Sequence, residues 1–335
     1  PGAGISITFT PATSGASGAS GAFNGGNTVI TNASGTATAN PLQANTIAGN
    51  HTVVASFDGS NVNFNLTNNP DAVNNLAITA GNNQSTTVNT AFTTDLKVTV
   101  TDQFGNVIPN AAIAFNAPSA GASLNSLSQS ITTDANGIAT LTAIANTVAG
   151  GYTVQAESNN INADFSLTNL ADVVANLDIT GGDNQATTVN TTFADNLAIR
   201  ITDQFGNPIS DATITLTAPS TGASGTPAST TLTTDSNGFA TVSLTANGFA
   251  GNYVILVNVD GIDGSTISLT NNLDTDTLQY LDDYDRDPID PLTSACQTLP
   301  AAELELEFPL VEREDLGMDE MIGLNERCLP VGVEQ

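Results

Sequence analysis

The sequence predicts an all-β fold: a row of antiparallel β-sandwiches of about 100 residues each, followed by a separate C-terminal piece. Three observations predict it. Apolar and polar residues alternate with period two along short segments, which is the period of a strand with one buried face. Motifs return at a constant shift of 101 residues, the size of one domain per repeat rather than a solenoid turn. No helical period of 3.6 appears across residues 1–273.

The repeat is exact in spacing. Leu76-Ala77-Ile78-Thr79 returns as Leu177-Asp178-Ile179-Thr180, Asp102-Gln103-Phe104-Gly105-Asn106 as Asp203-Gln204-Phe205-Gly206-Asn207, and Thr133-Asp134-Ala135-Asn136-Gly137 as Thr234-Asp235-Ser236-Asn237-Gly238. Within a repeat, Leu96–Thr101, Ile113–Phe115, Ile138–Ala143, Tyr152–Ala156 and Phe165–Thr168 each alternate, so each buries one face. Between them stand Phe104-Gly105-Asn106, Ala117-Pro118, Asn136-Gly137 and Gly150-Gly151, which supply the positive or fixed φ that tight reversals need.

Composition narrows the function. The chain has 335 residues, more than one small core accommodates, and carries 33 acidic against 5 basic residues for a net charge of -28. Lys97, Arg200, Arg286, Arg313 and Arg327 are too few and too scattered to neutralise a phosphate backbone, so nucleic acid is excluded as a partner, and anionic membranes are disfavoured. No apolar run approaches the ~18 residues of a membrane span. One histidine, two cysteines and one lysine leave few bases, thiolates or soft metal ligands. The many Ser and Thr hydroxyls have no His–Asp pair to activate one, so no catalytic residue and no enzyme activity is expected. His51 occupies the position of Tyr152 and Tyr253 and reads as a strand residue with a polar tip.

The order strand, Asp-Gln-Phe-Gly-Asn, strand ending in Ala-Pro, Thr-Thr-Asp-x-Asn-Gly, then Ala-Gly-x-Tyr resembles the bacterial immunoglobulin-like domains of the invasin and intimin family, over roughly residues 1–273. The resemblance implies tandem immunoglobulin-like antiparallel sandwiches forming a rod outside a bacterial cell, as spacer, stalk or adhesive element. It carries no catalytic or cofactor-binding residues. It implies a structural role for the turn residues Asp102, Gly105 and Asn106, and for Asp203, Gly206 and Asn207.

The expected organisation is an incomplete sandwich over 1–70, repeats over 71–171 and 172–273, and an acidic segment over 274–335. Pro1 lines up with Pro208, Ile7 with Ile214 and Phe9 with Leu216, so the first two strands and their turn are absent from the first domain. Apolar faces and a sheet edge are then open, and such an edge templates further pairing. Either residues upstream of a processed or truncated Pro1 complete it, or a neighbouring copy does so by β-strand addition, a heterologous contact that generates a homopolymer. Glu303-Leu304-Glu305-Leu306-Glu307-Phe308 offers a donor strand, with Leu304, Leu306 and Phe308 on one face.

The tail also holds Cys296 and Cys328, which in an exported protein default to a disulfide closing a small acidic segment. Asp283, Asp285 and Asp287 give alternate carboxylates of the kind Ca²⁺ takes, yet Pro288 stands at the sixth position, where an EF-hand needs Gly, and Ser294 at the twelfth. The stretch reads as a calcium site or as a solvated acidic turn. Calcium at the domain junctions near Asp71 and Asp172 is a further option. Two functions compete: an extracellular structural protein assembling head to tail into a filament or stalk, and an adhesin arm that binds a host or surface ligand through its terminal segment.

Overall fold

A computed structural model of the chain describes residues 2–12, 17–226, 229–262 and 264–274. Every regular element among the described residues is a strand. The tail from residue 275 onward, with Cys296, Cys328, Asp283, Asp285, Asp287, Leu304, Leu306 and Phe308, lies outside the described residues.

The middle unit, unit 2, contains β7 (Asn75–Ala80), β8 (Gln84–Thr87), β9 (Leu96–Thr101), β10 (Ala112–Asn116), β11 (Ser128–Thr132), β12 (Ile138–Leu141), β13 (Gly150–Ser158) and β14 (Ile161–Leu170). They form two facing sheets, β11-β10-β13-β14-β8 and β12-β9-β7, antiparallel except for the parallel pair β14–β8. Alternation explains the assembly. In β9, Leu96, Val98 and Val100 are fully buried while Lys97, Thr99 and Thr101 stay half-buried. They meet Phe115, Val154, Phe165 and Leu167 from the opposite sheet in one core. The turn into β12 is set by Asp134, whose Oδ1 accepts the N–H groups of Asn136 (2.8 Å) and Ile138 (2.9 Å). Gly137 follows at φ +71°, where a Cβ would stand 2.9 Å from the Val100 carbonyl oxygen, so only glycine fits.

Unit 3 repeats this plan with β15 (Asn176–Gly181), β16 (Gln185–Thr188), β17 (Leu197–Thr202), β18 (Thr213–Thr217), β19 (Gly225–Thr226), β20 (Ser229–Thr233), β21 (Phe239–Val242), β22 (Thr245–Ala246), β23 (Gly251–Val259) and β24 (Ser265–Asn272). Its sheets run β16-β24-β23-β18-β20 and β15-β17-β21, with the short pair β19-β22. Leu197, Ile199, Ile201, Ile255 and Ile267 fill its core.

Unit 1 is different. It contains β1 (Ser6–Pro11), β2 (Gly21–Phe23), β3 (Thr28–Ile30), β4 (Leu42–Ala44), β5 (Gly49–Phe57) and β6 (Ser60–Asn68). One sheet, β3-β1-β5-β6, matches β11-β10-β13-β14 of unit 2, and β2 pairs with β4. Among the described residues no strand stands in the places of β7, β8 and β9, and residues 36–40, in the place of β12, form no strand. The sheet face that should meet a second sheet is therefore partly bare.

Candidate functional site

Two arrangements in these units can engage another polypeptide. The first is at the junctions. Asp102 follows directly on β9 and anchors the Asp-Gln-Phe-Gly-Asn turn: its Oδ1 accepts the N–H of Phe104 (2.9 Å) and of Asn106 (2.8 Å). Its Oδ2 accepts the Asn106 Nδ2 group (2.8 Å) and the backbone N–H of Asp71 (3.0 Å), in the linker from unit 1. Gly105, at φ +84°, turns the chain back. The turn thereby presents the Asn106 amide to unit 1, where Nδ2 donates to the Thr46 carbonyl (2.8 Å) and Oδ1 accepts the Ala48 N–H (2.9 Å). Gln103 Nε2 donates to Asp71 Oδ2 (2.8 Å) and ties down the linker.

The next junction is built alike. Asn207 donates to the Thr147 carbonyl (2.9 Å) and accepts from the Ala149 N–H (2.8 Å), Asp203 accepts the Asp172 N–H (3.0 Å), and Gln204 donates to Asp172 (2.9 Å). Asp102 and Asp203 are buried there. Burial is the largest single influence and works against the charged form, but the side-chain and backbone N–H donors together outweigh it and hold both carboxyls below the ordinary aspartate range.

The seat that receives each asparagine is a loop repeated as Asn45–Gly49, Asn146–Gly150 and Asn247–Gly251. In unit 2 Asn146 Oδ1 accepts from Ser123 N (3.2 Å), Val148 N (3.1 Å) and Asn169 Nδ2 (3.0 Å), while its Nδ2 donates to the Gly121 carbonyl (2.9 Å). This presents Thr147 O and Ala149 N outward. Residue type marks the Asp–Asn pairs only as turns and leaves the seat unannounced, although Asn-x-x-Ala-Gly recurs in every repeat. In the third copy, Gly248 O and Ala250 N meet no hydrogen-bonding partner among the described residues.

The linker carboxylates are already engaged. Asp71 Oδ1 accepts the Ala72 N–H (2.8 Å) and Oδ2 the Gln103 amide (2.8 Å). Each Asp71 carboxylate oxygen thus carries one N–H donor, and among the described residues no three His, Cys, Asp or Glu side chains converge.

The second arrangement is the bare face of unit 1. Phe9, Phe23, Phe64 and Leu66 line a groove of about 380 Å³ together with Ala37 to Asn40. Phe9 is stacked edge-on against Phe23 at 6.1 Å and tilted against Phe64 at 6.2 Å. Phe64 is 47% exposed and Leu66 39%, where their counterparts Phe165 and Leu167 are 0% and 2% exposed. His51 lies buried on β5, and neither ring nitrogen has a partner. Tyr152 and Tyr253 hold that strand position in units 2 and 3, their phenols pushed up to about 12 by burial.

Residues 75–169 match the bacterial Ig-like domain (group 1) family. That Ig-like span runs from β7 to β14, and unit 3 repeats its two sheets strand for strand and adds the short pair β19-β22. Solved structures with a similar chain course include FdeC, an Escherichia coli adhesin, at 20% identity over 82% of this chain and 98% of that one, with a TM-score of 0.40. The tetra-tandem repeat in the extending region of a large adhesion protein is 21% identical over 82% of this chain and 68% of that one, TM-score 0.33. The Yersinia pseudotuberculosis adhesin InvE is 17% identical over 59% and 58%, TM-score 0.29. No curated protein sequence matches the chain.

Proposed function

We propose that this chain is a non-enzymatic structural protein of a bacterial exterior, a rod of Ig-like units that joins head to tail into a filament or stalk. A strand from one copy completes unit 1 of the next. The observation that carries this reading is the groove of unit 1. A soluble sandwich does not leave Phe64 and Leu66 about half exposed on the face that its sister units bury completely. Covering the exposed half of each such side chain is worth roughly 1 kcal/mol, and among the described residues β6 has a free edge where β14 and β24 hold a parallel partner. Asn106 and Asn207 favour the rod, because each locks one unit to the next through backbone groups. A bacterial surface setting accords with the Ig-like family match.

In this reading Leu304, Leu306 and Phe308 enter the groove, the glutamates between them face water, and a Cys296–Cys328 disulfide closes the tail. Electron microscopy of purified full-length chain tests it. Long fibres that vanish on deletion of residues 303–311, with the units still folded, are expected. Fibres surviving that deletion would rule out the strand, and isolated short rods would favour the adhesin arm instead.

A further inference from the structure

On the head-to-tail reading, on which this inference rests, the register of the repeats assigns the tail more than one donor strand. Where described units succeed one another, the chain leaves a unit at Asn68 or Asn169 and passes an aspartate three residues later, Asp71 or Asp172. It then becomes the first strand of the next unit. Unit 3 ends with the same spacing, Asn271 and Asp274. The chain beyond Asp274 therefore stands where the strands equivalent to β7, β8 and β9 would follow, and among the described residues no strand of unit 1 stands in those places.

The tail's apolar pattern agrees. Leu96 stands 25 residues after Asp71, Leu197 stands 25 after Asp172, and Leu304 stands 30 after Asp274. From each, the next two apolar positions fall at alternate residues: Val98 and Val100, Ile199 and Ile201, Leu306 and Phe308. Leu76 and Ile78 of β7 fall five and seven residues after Asp71, and Leu278 and Tyr280 fall four and six after Asp274. We infer that residues 274–308 of one copy take the places of β7 to β9 in unit 1 of the next, so that this unit continues the row beyond unit 3 as a fourth repeat.

The receiving site fits such a segment. In unit 2, β9 pairs antiparallel with β12, Val98 opposite Ala139 and Leu96 opposite Leu141. Residues 36–39 hold that place in unit 1 without a strand partner, and Ala37, Thr38 and Ala39 line the same groove as Phe64 and Leu66. Leu306 then falls opposite Ala37 and Leu304 opposite Ala39. Charge permits the match, because residues 1–70 contain a single acidic residue, Asp58, to repel Glu303, Glu305 and Glu307. Direction favours a second copy over the same chain. Asn271 is bonded to the Asn247 loop at 3.0 Å, at the seat end of unit 3, whereas its Asn207 grips unit 2 from the other end. The tail thus starts facing away from its own unit 1. It carries no Asp-x-x-Gly-Asn after Phe308, where Pro309 stands, so the asparagine clamp is missing from the joint between copies.

The test incorporates the photocrosslinker p-benzoylphenylalanine in place of Leu306 in full-length chain, mixed with ¹⁵N-labelled chain. Irradiated fibres should yield light–heavy crosslinks mapping to residues 36–40. Crosslinks within one chain, or to any other unit while fibres persist, would overturn this inference and leave the filament standing. Absence of fibres from unmodified chain removes the head-to-tail reading itself, and this inference with it. A second measurement needs no substitution: the subunit repeat along unmodified fibres should be three times the spacing between neighbouring units. A repeat that is no whole multiple of that spacing would equally refute the continued row.

Discussion

Units 1 and 2 share a sheet, a hairpin and a phenylalanine pair, yet they bury the second phenylalanine of that pair to opposite extents. Phe165 at β14 is fully enclosed in a core shared with Leu96 and Val98 of β9 and Leu141 of β12; Phe64 at the matching place on β6 is 47% exposed, and among the described residues no strand of unit 1 stands in the place of β9. The strand, its alternation and its partner β5 are intact in both. Burial here is a property of the opposing sheet, and a strand pattern alone does not supply it.

The sharpest way to break this contrast is to truncate both rings. Phe165→Ala should cost unit 2 about 3–5 kcal/mol, and Phe64→Ala should cost unassembled chain ~1 kcal/mol or less. Hydrogen exchange read separately in β13 and β5 compares them, and equal losses would show that unit 1 is closed. In fibres the Phe64→Ala cost should rise toward that of Phe165→Ala, seen as easier dissociation in denaturant.

The junctions come next in size. Asn207→Ala removes two bonds to unit 2 and a donor from buried Asp203, so the joint should lose about 1–3 kcal/mol while both sandwiches keep their melting temperatures. Residual dipolar couplings would report independent tumbling of units 2 and 3; unchanged relative alignment would contradict the clamp. Acid should act on the same contacts. Asp102 and Asp203 titrate below the ordinary 3.8, so their contribution is present above that pH and fades as pH falls through the lowered folded values. Junction loosening without sandwich unfolding is expected below about pH 3.8, and rigid joints persisting there would refute the linkage. The smallest effect concerns Gly105, whose φ is +84° and where an added Cβ would meet nothing within 4 Å. Gly105→Ala should cost only the left-handed backbone penalty, ~1–2 kcal/mol by thermal melting.

Much of the fold is legible in the sequence, for identifiable reasons. Leu96, Val98 and Val100 alternate strictly, and the Asp102 and Asp134 turns carry the residue types such turns need, so strands and reversals can be read directly. The partners of Asn106 cannot, since Thr46 and Ala48 lie 60 and 58 residues away and act through backbone atoms that carry no side-chain signature. Nor can β8. Gln84-Ser85-Thr86-Thr87 has no apolar alternation, and its place is fixed by parallel bonds to β14. The stretch that reads as two opening strands folds as three in units 2 and 3, because Gly81 (φ +87°) and Asn83 (φ +56°) break it and carry the chain from one sheet to the other.

The parallel β8–β14 pair has a mechanical consequence. The chain enters unit 2 through β7, crosses to β8 and departs from the end of β14, so tension that passes β7 drags β8 and β14 past each other lengthwise. The ladder from Leu167–Gln84 to Leu170–Thr87 is loaded all at once instead of peeling bond by bond. Unit 3 repeats it in β16–β24. Such units resist pulling in a way that their thermal stability alone would not foretell.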